Sequence, residues 1–496
     1  MGQMGGTVGA VAVGECLMVM EGRQKDCRQN DRQQNGWEKQ SSFVHLTQIY
    51  VFNSYISNDK DLYMNKTIVI ILFFSFSSAA LHAQTGTWSG NLEVQGVKLP
   101  VVFHLDEEPT VDSPDQGVKG IPVEVERGAA GNITVKIPSL GATYDGMWMM
   151  KKIVGTFTQM GVSFPLTLTP GFEKPRRPQT PQEPFPYATE EVSFSNGDAV
   201  LKGTLSLPEG WSRKTPVLVM VTGSGLQNRD EELFDHKPFA VIADAFARAG
   251  IATLRYDDRG FGESTGDLVQ VTTGDLKNDA LAGIALLRDR FDHVGVLGHS
   301  EGGTIALMLG AEGKVDFLVS LAGMVISGKE TLMRQNRLSL SVAGLGDDVV
   351  NGYCSLLEEA FDACIAGLPL PSASDKDLPD GLKQNYQAVA MQLKSPYMKY
   401  FLSLDVRPSL GVISCPVLAL NGMMDAQVEC EVNLEPLRTG LPVSPSNSVV
   451  AVDGVNHLFQ HCATGAVTEY KEIEETFSPE VLDLMADWIN RIEFKH

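Results

Sequence analysis

Between Val294 and Gly303 the chain reads VGVLGHSEGG, an apolar run that ends in three glycines placed around a serine. The segment after it, TIALMLGAE, carries apolar residues at helical spacing, so a strand hands over to a helix near Ser300. No other stretch constrains the fold as strongly. A turn that lifts one side chain clear of a sheet needs backbone segments to pass with no Cβ between them, which glycine allows. The residue between Gly298 and Gly302 must also tolerate a strained φ/ψ, a state that folds keep for functional positions. An ordinary glycine-rich βα turn is the alternative. The rest of the chain therefore has to supply a base, an orienting acid and an oxyanion site.

The length of 496 residues predicts two or three domains, and 43% hydrophobic with 20% charged residues suits a globular chain with a sizeable core. A formal net charge of −21 with no compensating basic tract argues against nucleic acid or an anionic membrane as partner. Residues 64–84, MNKTIVIILFFSFSSAALHAQ, follow the plan of a secretory signal peptide, with Lys66, an apolar run from Ile68 and small residues ending at Ala83. Leu81 departs from a strict small-x-small cut site. The apolar run, about 16 residues, falls short of the roughly 20 that a spanning helix needs. This reading makes 64–83 a signal peptide, leaves the polar residues 1–63 as a non-native upstream extension, and directs the product to the periplasm or the exterior. No stable membrane span is expected after signal removal. Five cysteines follow Ala83, at 354, 364, 415, 430 and 462; an odd number cannot pair completely within one chain, and none has C-x-x-C spacing.

From 84 to 170 the runs TWSGNLEVQGVKLPVVFHL, GNITVKIPSL and GTFTQMGVSFPLTLTP alternate apolar and polar residues between Gly, Asn and Pro turns. They predict a small all-β sandwich or open barrel with no titratable cluster. Gly86-Thr87-Trp88 and Gly155-Thr156-Phe157 each lead into a Gly-Val-x-x-Pro segment, which reads as one hairpin used twice. Six prolines between Pro170 and Pro186 predict a stiff linker over 171–186. From 187 onward a hairpin turning at Asn196-Gly197 opens an alternation of strand-like and helix-like runs. The strand-like runs PVLVMVTG, IATLRYD, VGVLG, FLVSLAG, PVLALNG and SVVAVDG do not alternate, as expected of strands buried on both faces of a mostly parallel, doubly wound α/β sheet. Helical stretches between FLVSLAG and PVLALNG, about 324–405, predict an inserted cap.

A serine hydroxyl needs a base within hydrogen-bond reach. Of the nine histidines, His45 precedes the signal, His82 lies in it, and His496 ends the chain. His104 belongs to the β-rich region, His236 opens a helix, His293 stands at the far end of the Ser300 strand, and His299 adjoins Ser300 on a turn that points neighbours apart. His457 and His461 remain, in DGVNHLFQH after the last strand, where open α/β sheets bind ligands. His457 is closer to the strand end. Its spacing of four from His461 would suit a metal pair, but no H-E-x-x-H glutamate accompanies it, so a metal site is not expected. Asp425, three residues past the PVLALNG strand, is the candidate acid and Asp453 its rival. The order Ser300, Asp425, His457 is that of the α/β-hydrolase triad. For the oxyanion, the N–H of Glu301 and a donor from Thr222-Gly223-Ser224-Gly225-Leu226 are expected, Ser224 first and Gly225 next.

Residues 187–496 resemble the α/β-hydrolase superfamily, and VTGSGLQNRDE, LRYDDRGFGEST, GHSEGG, NGMMDAQV and NHLFQ resemble the secreted bacterial esterases related to dienelactone hydrolases. The resemblance implies a serine carboxylesterase for small to medium acyl esters, working without metal or cofactor. Serine in place of the dienelactone hydrolase cysteine argues against that exact activity, and halide or epoxide chemistry would want Asp at position 300. Tyr256-Asp257-Asp258-Arg259-Gly260 reads as a structural turn. In SPYMKYFLSLD, Tyr397 and Phe401 are candidates for the substrate pocket, against a role in packing the cap. The alternatives are a serine exopeptidase of the prolyl-oligopeptidase type, whose large propeller roughly 85 residues cannot build, and a non-catalytic binding protein on a hydrolase fold.

Overall fold

Alternating residues from Thr87 to Pro170 form nine strands in the computed structural model, which describes residues 85–494 apart from 95–96, 115–117, 129–130, 160 and 174–175. The segments 1–63 and 64–83, with His45, His82 and His496, lie outside the described residues. The strands are β1 (Thr87–Val94), β2 (Val97–His104), β3 (Thr110–Ser113), β4 (Val118–Pro122), β5 (Glu124–Arg127), β6 (Asn132–Ile137), β7 (Ala142–Met149), β8 (Lys152–Gln159) and β9 (Val162–Pro170). They make one antiparallel sheet in the order β4-β3-β2-β1-β9-β8-β7-β6-β5. β4 and β5 stand at opposite ends of this order, yet only Val123 separates them in the chain. The sheet therefore curls until its two edges meet. Phe103 on β2 and Tyr144 on β7 stack 5.6 Å apart across the curl, although three strands lie between them in the sheet. The architecture is nearer a barrel than a two-sheet sandwich. The two echoing segments are the hairpins β1–β2 and β8–β9, joined edge to edge by β1 against β9.

This unit does carry titratable pairs that the sequence reading left out, Lys136 with Glu126 at the surface and His104 with Asp112. His104 Nε2 lies 3.0 Å from Asp112 Oδ2, with Thr87 Oγ1 3.1 Å from Nδ1. The three sit on neighbouring strands, where same-face side chains meet only after register is set.

The second unit is built on β10 (Ala188–Asn196), β11 (Ala199–Leu207), β12 (Val217–Val221), β13 (Ala252–Tyr256), β14 (Val294–His299), β15 (Leu318–Leu321), β16 (Val417–Gly422) and β17 (Ser448–Val452). Their order is β10-β11-β13-β12-β14-β15-β16-β17. β10 and β11 form an antiparallel hairpin at Gly197, β11 is antiparallel to β13, and the six strands from β13 to β17 are parallel. The helices are α1 (Pro238–Arg248), α2 (Thr273–Arg288), α3 (Glu301–Ala311), α4 (Gly328–Val342), α5 (Asp347–Ala366), α6 (Asp380–Gln392), α7 (Pro396–Ser403), α8 (Cys430–Gly440) and α9 (Pro479–Asn490).

β12 explains why the apolar runs do not alternate. Val217, Val219 and Val221 pack with Ala280, Ile284 and Leu287 of α2, while Leu218 and Met220 pack with Ile242 and Phe246 of α1 and Met485 of α9. Both faces are covered, so every position is apolar. Helices α4–α7 lie between β15 and β16 in sequence and share their own core of Leu332, Tyr353, Phe361, Tyr386 and Phe401. Ser327 starts α4 with a reciprocal capping box to Glu330. Among the described residues all five cysteines are free, and no helix is long and apolar enough to cross a membrane.

The proline-rich segment does not behave as a linker along its whole length. The division between the two compact units falls between Lys174 and Pro175, ahead of the expected start at 187. Arg177 donates to the carbonyls of Phe234, Lys471 and Ile473 at 2.8–2.9 Å. Gln179 donates to Phe477 O and accepts from the N–H groups of Thr476 and Phe477. Proline spacing showed stiffness but could not show that the residues between the prolines dock. Replacing Arg177 by Ala strands these carbonyls and should cost about 2–3 kcal/mol. A thermal melt of the R177A variant should fall by several degrees; a melting temperature within about 1 °C of wild type would make the segment a passive tether.

Candidate active site

Ser300 follows the last residue of β14 and holds φ +54° and ψ −118°, outside the regions open to ordinary L-residues. Its N–H donates to Leu321 O at 2.8 Å, and its carbonyl accepts from Gly303 N and Thr304 N to launch α3. The glycines around it are steric necessities. A Cβ on Gly298 would stand 1.9 Å from Gly302 O, and one on Gly302 would stand 2.1 Å from Val221 O. The serine is thus propped at the C-terminal edge of the sheet by two contacts that admit no side chain.

The acid and histidine follow β16 and β17, which lie beyond β15 from the serine strand. Asp425 follows β16, and its Oδ1 accepts the N–H groups of Gln427 and Val428, both at 2.8 Å. That fixes Oδ2 to receive Nδ1–H of His457 at 2.7 Å, between two buried side chains. An Nδ1–H held this way leaves Nε2 as the acceptor nitrogen, the tautomer a general base requires. Asp453, the rival acid, is exposed in the turn after β17. His461 pairs with Glu475 at the surface, His236 is buried against Tyr470 and Thr476, and His293 stacks on Phe494. Among the described residues no cluster of three or more His, Cys, Asp or Glu is arranged to hold a metal ion.

The loop after β12 runs directly beside the serine, since a Cβ on Gly223 would lie 3.2 Å from Ser300 Cβ. Gly225 takes φ +98°, which bends the loop behind Ser224. Ser224 Oγ donates to Glu301 Oε2 at 2.8 Å, joining the two residues whose amides are the oxyanion candidates. The same carboxylate oxygen receives Tyr397 OH from α7 at 2.5 Å. Burial pushes the Glu301 carboxyl above the usual carboxylate range, against the bonds from its hydroxyl partners. Tyr397 therefore reaches the elbow itself. Phe401 stacks 5.8 Å from Tyr397, and both belong to the cap core.

Sequence reasoning missed two carboxylates. Glu231 Oε1 accepts Gly223 N–H at 2.7 Å and meets His299 Nδ1 at 2.9 Å. Asp258 accepts Thr222 Oγ1 and Gln227 N–H, and burial pushes its carboxyl well above the usual range. The turn reading of YDDRG was sound, but nothing in one sequence says which loop such a turn holds. Acidic residues in NRDE and YDDRG, within reach of a glycine loop, were the available signal.

The sheet order, the strained serine on a strand–helix elbow and the Asp425–His457 pair on later strand ends are those of an α/β-hydrolase fold. Residues 236–360, which include Ser300, match the family model described as serine aminopeptidase, S33. Esterase EstD of Thermotoga maritima is 27% identical over 282 residues, covering 55% of this chain; the match spans 62% of that relative's length. Among solved structures, the Pyrococcus furiosus esterase Pf2001 aligns at 16% identity with a TM-score of 0.40, covering 65% of this chain and 99% of that one. Est1E from Butyrivibrio proteoclasticus, solved with ferulic acid bound, aligns at 20% identity with a TM-score of 0.37, covering 60% and 100%.

Asp425→Asn should lower kcat by roughly 10²–10⁴-fold, because it disturbs the tautomer and charge of His457 while Ser300 stays in place. Asp453→Asn should stay within about threefold of wild type, as expected for an exposed turn residue. Steady-state kinetics on both variants compares them; a larger loss at Asp453 would reverse the assignment of the acid.

Proposed function

We propose that the protein is a serine carboxylesterase that hydrolyses small to medium acyl esters through an acyl-enzyme intermediate. Ser300 Oγ attacks the ester carbonyl while His457 Nε2 takes its proton and passes it to the leaving alcohol. A water then attacks the acyl-enzyme by the same route, returning the proton to Ser300 Oγ. Asp425 holds the imidazole and stabilises its charged form. The N–H groups of Glu301 and Ser224, with Gly225 behind them, receive the developing oxyanion. The observation that carries this reading is the 2.7 Å Asp425–His457 bond at strand ends beside a serine held at φ +54°. Similarity to an esterase over 55% of the chain supports it. The reading calls for no metal and no cofactor, and the substrate is a small molecule rather than nucleic acid. Export to the periplasm or exterior rests on the composition of residues 64–83.

The match to a serine aminopeptidase family model gives the exopeptidase reading one observation in its favour. A panel of p-nitrophenyl esters against aminoacyl p-nitroanilides separates the two. Esters should turn over and anilides should not; efficient anilide cleavage would favour the peptidase. Ser300→Ala should cut kcat by on the order of 10⁴–10⁶-fold and abolish labelling by a fluorophosphonate. A chain that neither labels nor turns over any ester would be a binding protein on this fold.

The cap gives a sharper expectation for selectivity. Tyr397 touches the elbow through Glu301, whereas Phe401 is buried in the cap. Tyr397→Ala should shift the ratio of kcat/KM between short and long acyl chains by roughly 10–200-fold. Phe401→Ala should lower the melting temperature and reduce all substrates alike. A uniform loss in both variants would place both residues in cap packing alone.

A further inference from the structure

We propose that Glu231 and His299 form a positioning pair that holds the oxyanion loop and the His457 backbone in register with Ser300. The inference rests on the serine-esterase reading and adds two residues to it. A single oxygen, Glu231 Oε1, accepts Gly223 N–H at 2.7 Å and lies 2.9 Å from His299 Nδ1. On the other side of the same ring, His299 Nε2 lies 2.9 Å from the carbonyl oxygen of His457. Three elements that must converge on the substrate therefore meet at one carboxylate–imidazole pair: the loop after β12, the elbow residue preceding Ser300, and the histidine loop after β17. The rings of His299 and His457 are 4.7 Å apart, so the pair lies against the catalytic imidazole itself.

Hydrogen-bond stoichiometry fixes the proton count. A carbonyl oxygen only accepts, so His299 Nε2 carries a hydrogen. The Nδ1 contact must then hold one more proton, shared as imidazolium against carboxylate or as imidazole against carboxylic acid. Either way the buried pair is neutral overall, which makes its burial tolerable where one lone charge would not be. Burial alone would push the His299 imidazole down, and the facing Glu231 carboxylate outweighs it and raises it.

The backbone under Glu231 is set rather than slack. Glu231 holds φ +52°, and its neighbours are pinned by ion pairs of Arg229 with Asp257 and of Arg255 with Asp230. A strained conformation persists only where the surroundings over-determine it. Glutamine cannot replace this carboxyl. With its oxygen toward Gly223 N–H, it leaves Nδ1–H as a charge without a counter-ion; with its nitrogen there, it opposes the Gly223 N–H.

In Glu231→Gln, kcat for p-nitrophenyl butyrate should fall roughly 10–100-fold, with KM within about threefold, because positioning is lost and ground-state binding is not. Long incubation with a fluorophosphonate counts functional serines, so kcat is expressed per titrated site. His299→Asn keeps a donor toward Glu231 and loses the one to His457 O, while His299→Gln keeps the donor toward His457 O. The Asn variant should therefore lose more kcat than the Gln variant. Wild-type kcat per titrated site in Glu231→Gln, or a loss confined to KM, overturns the proposal. Should Glu231→Gln fail to fold, equal kcat in the two His299 variants overturns it as well. Full turnover in Ser300→Ala would instead sink the esterase reading, an outcome the Glu231 and His299 variants cannot mimic.

Discussion

The approach of Gly302 to the carbonyl of Val221 is the contact on which the rest of the site depends. No Cβ fits there, because it would stand 2.1 Å from that oxygen. Val221 ends β12, and Thr222 begins the loop that supplies the oxyanion candidates. The contact that shapes the elbow therefore also lays that loop against Ser300. A second contact of the same kind serves the other half of the site. A Cβ on Gly422 would stand 2.3 Å from Val455 O, so the end of β16 passes hard against the chain leading to His457. Asp425 and His457 are brought within 2.7 Å by two loops that have no room to drift apart. Backbone close approach, rather than side-chain packing, sets the distance between Asp425 and His457 and lays the loop after β12 beside Ser300.

Around this frame three acidic side chains hold the loop after β12. Asp258 takes Thr222 and Gln227, Glu231 takes Gly223, and Glu301 takes Ser224. A buried carboxyl is costly unless donors surround it, and apolar replacements of such groups are often as stable or more so. Their use here fits positioning better than stability, since each fixes a particular N–H or O–H of one short loop. Asp258 and Glu301 both have their proton affinity raised by burial. Glu301 differs from the others in reaching the cap as well, through Tyr397. The cap is thereby hydrogen-bonded to the residue next to Ser300.

Much of this could be read from the chain. Runs such as VLVMV announced strands covered on both faces, and Gly298 and Gly302 marked the elbow because few other roles require glycine on both sides of a serine. His457 could be reached by elimination and Asp425 by its place three residues past a strand. What stayed hidden depends on contacts far apart in sequence. Glu231 and His299 are 68 residues apart, and no spacing rule joins them. The curl of the β-rich unit was hidden for a related reason: alternation gives the faces of strands, while closure at Val123 appears only once pairing order is known. The docking of Arg177 was masked by its prolines, which declare stiffness and say nothing of what the neighbouring side chains grip.

That docking bears on the His457 loop through a chain of hydrogen bonds. Asn456 Oδ1 accepts from Leu458 N–H and Gln460 N–H, tightening the turn that follows His457, and Phe459 takes φ +58° within it. Gln460 Nε2 donates to Glu475 O, and Ser478 N–H donates to Phe459 O. Residues 471–477 are in turn the segment that Arg177 and Gln179 hold. His236 anchors the same segment from the core, its Nε2 2.9 Å from Tyr470 O and its Nδ1 2.9 Å from Thr476 Oγ1. Burial favours the neutral ring and pushes its pKa down to about 4. A folded-state pKa below the ordinary 6.5 means that the unfolded chain takes up the proton first as pH falls. The stability it contributes is present above about pH 6.5 and drains away toward pH 4. Acid therefore weakens the support of the histidine loop. The segment that looked like a tether between two domains is, in mechanical terms, the outermost brace of His457.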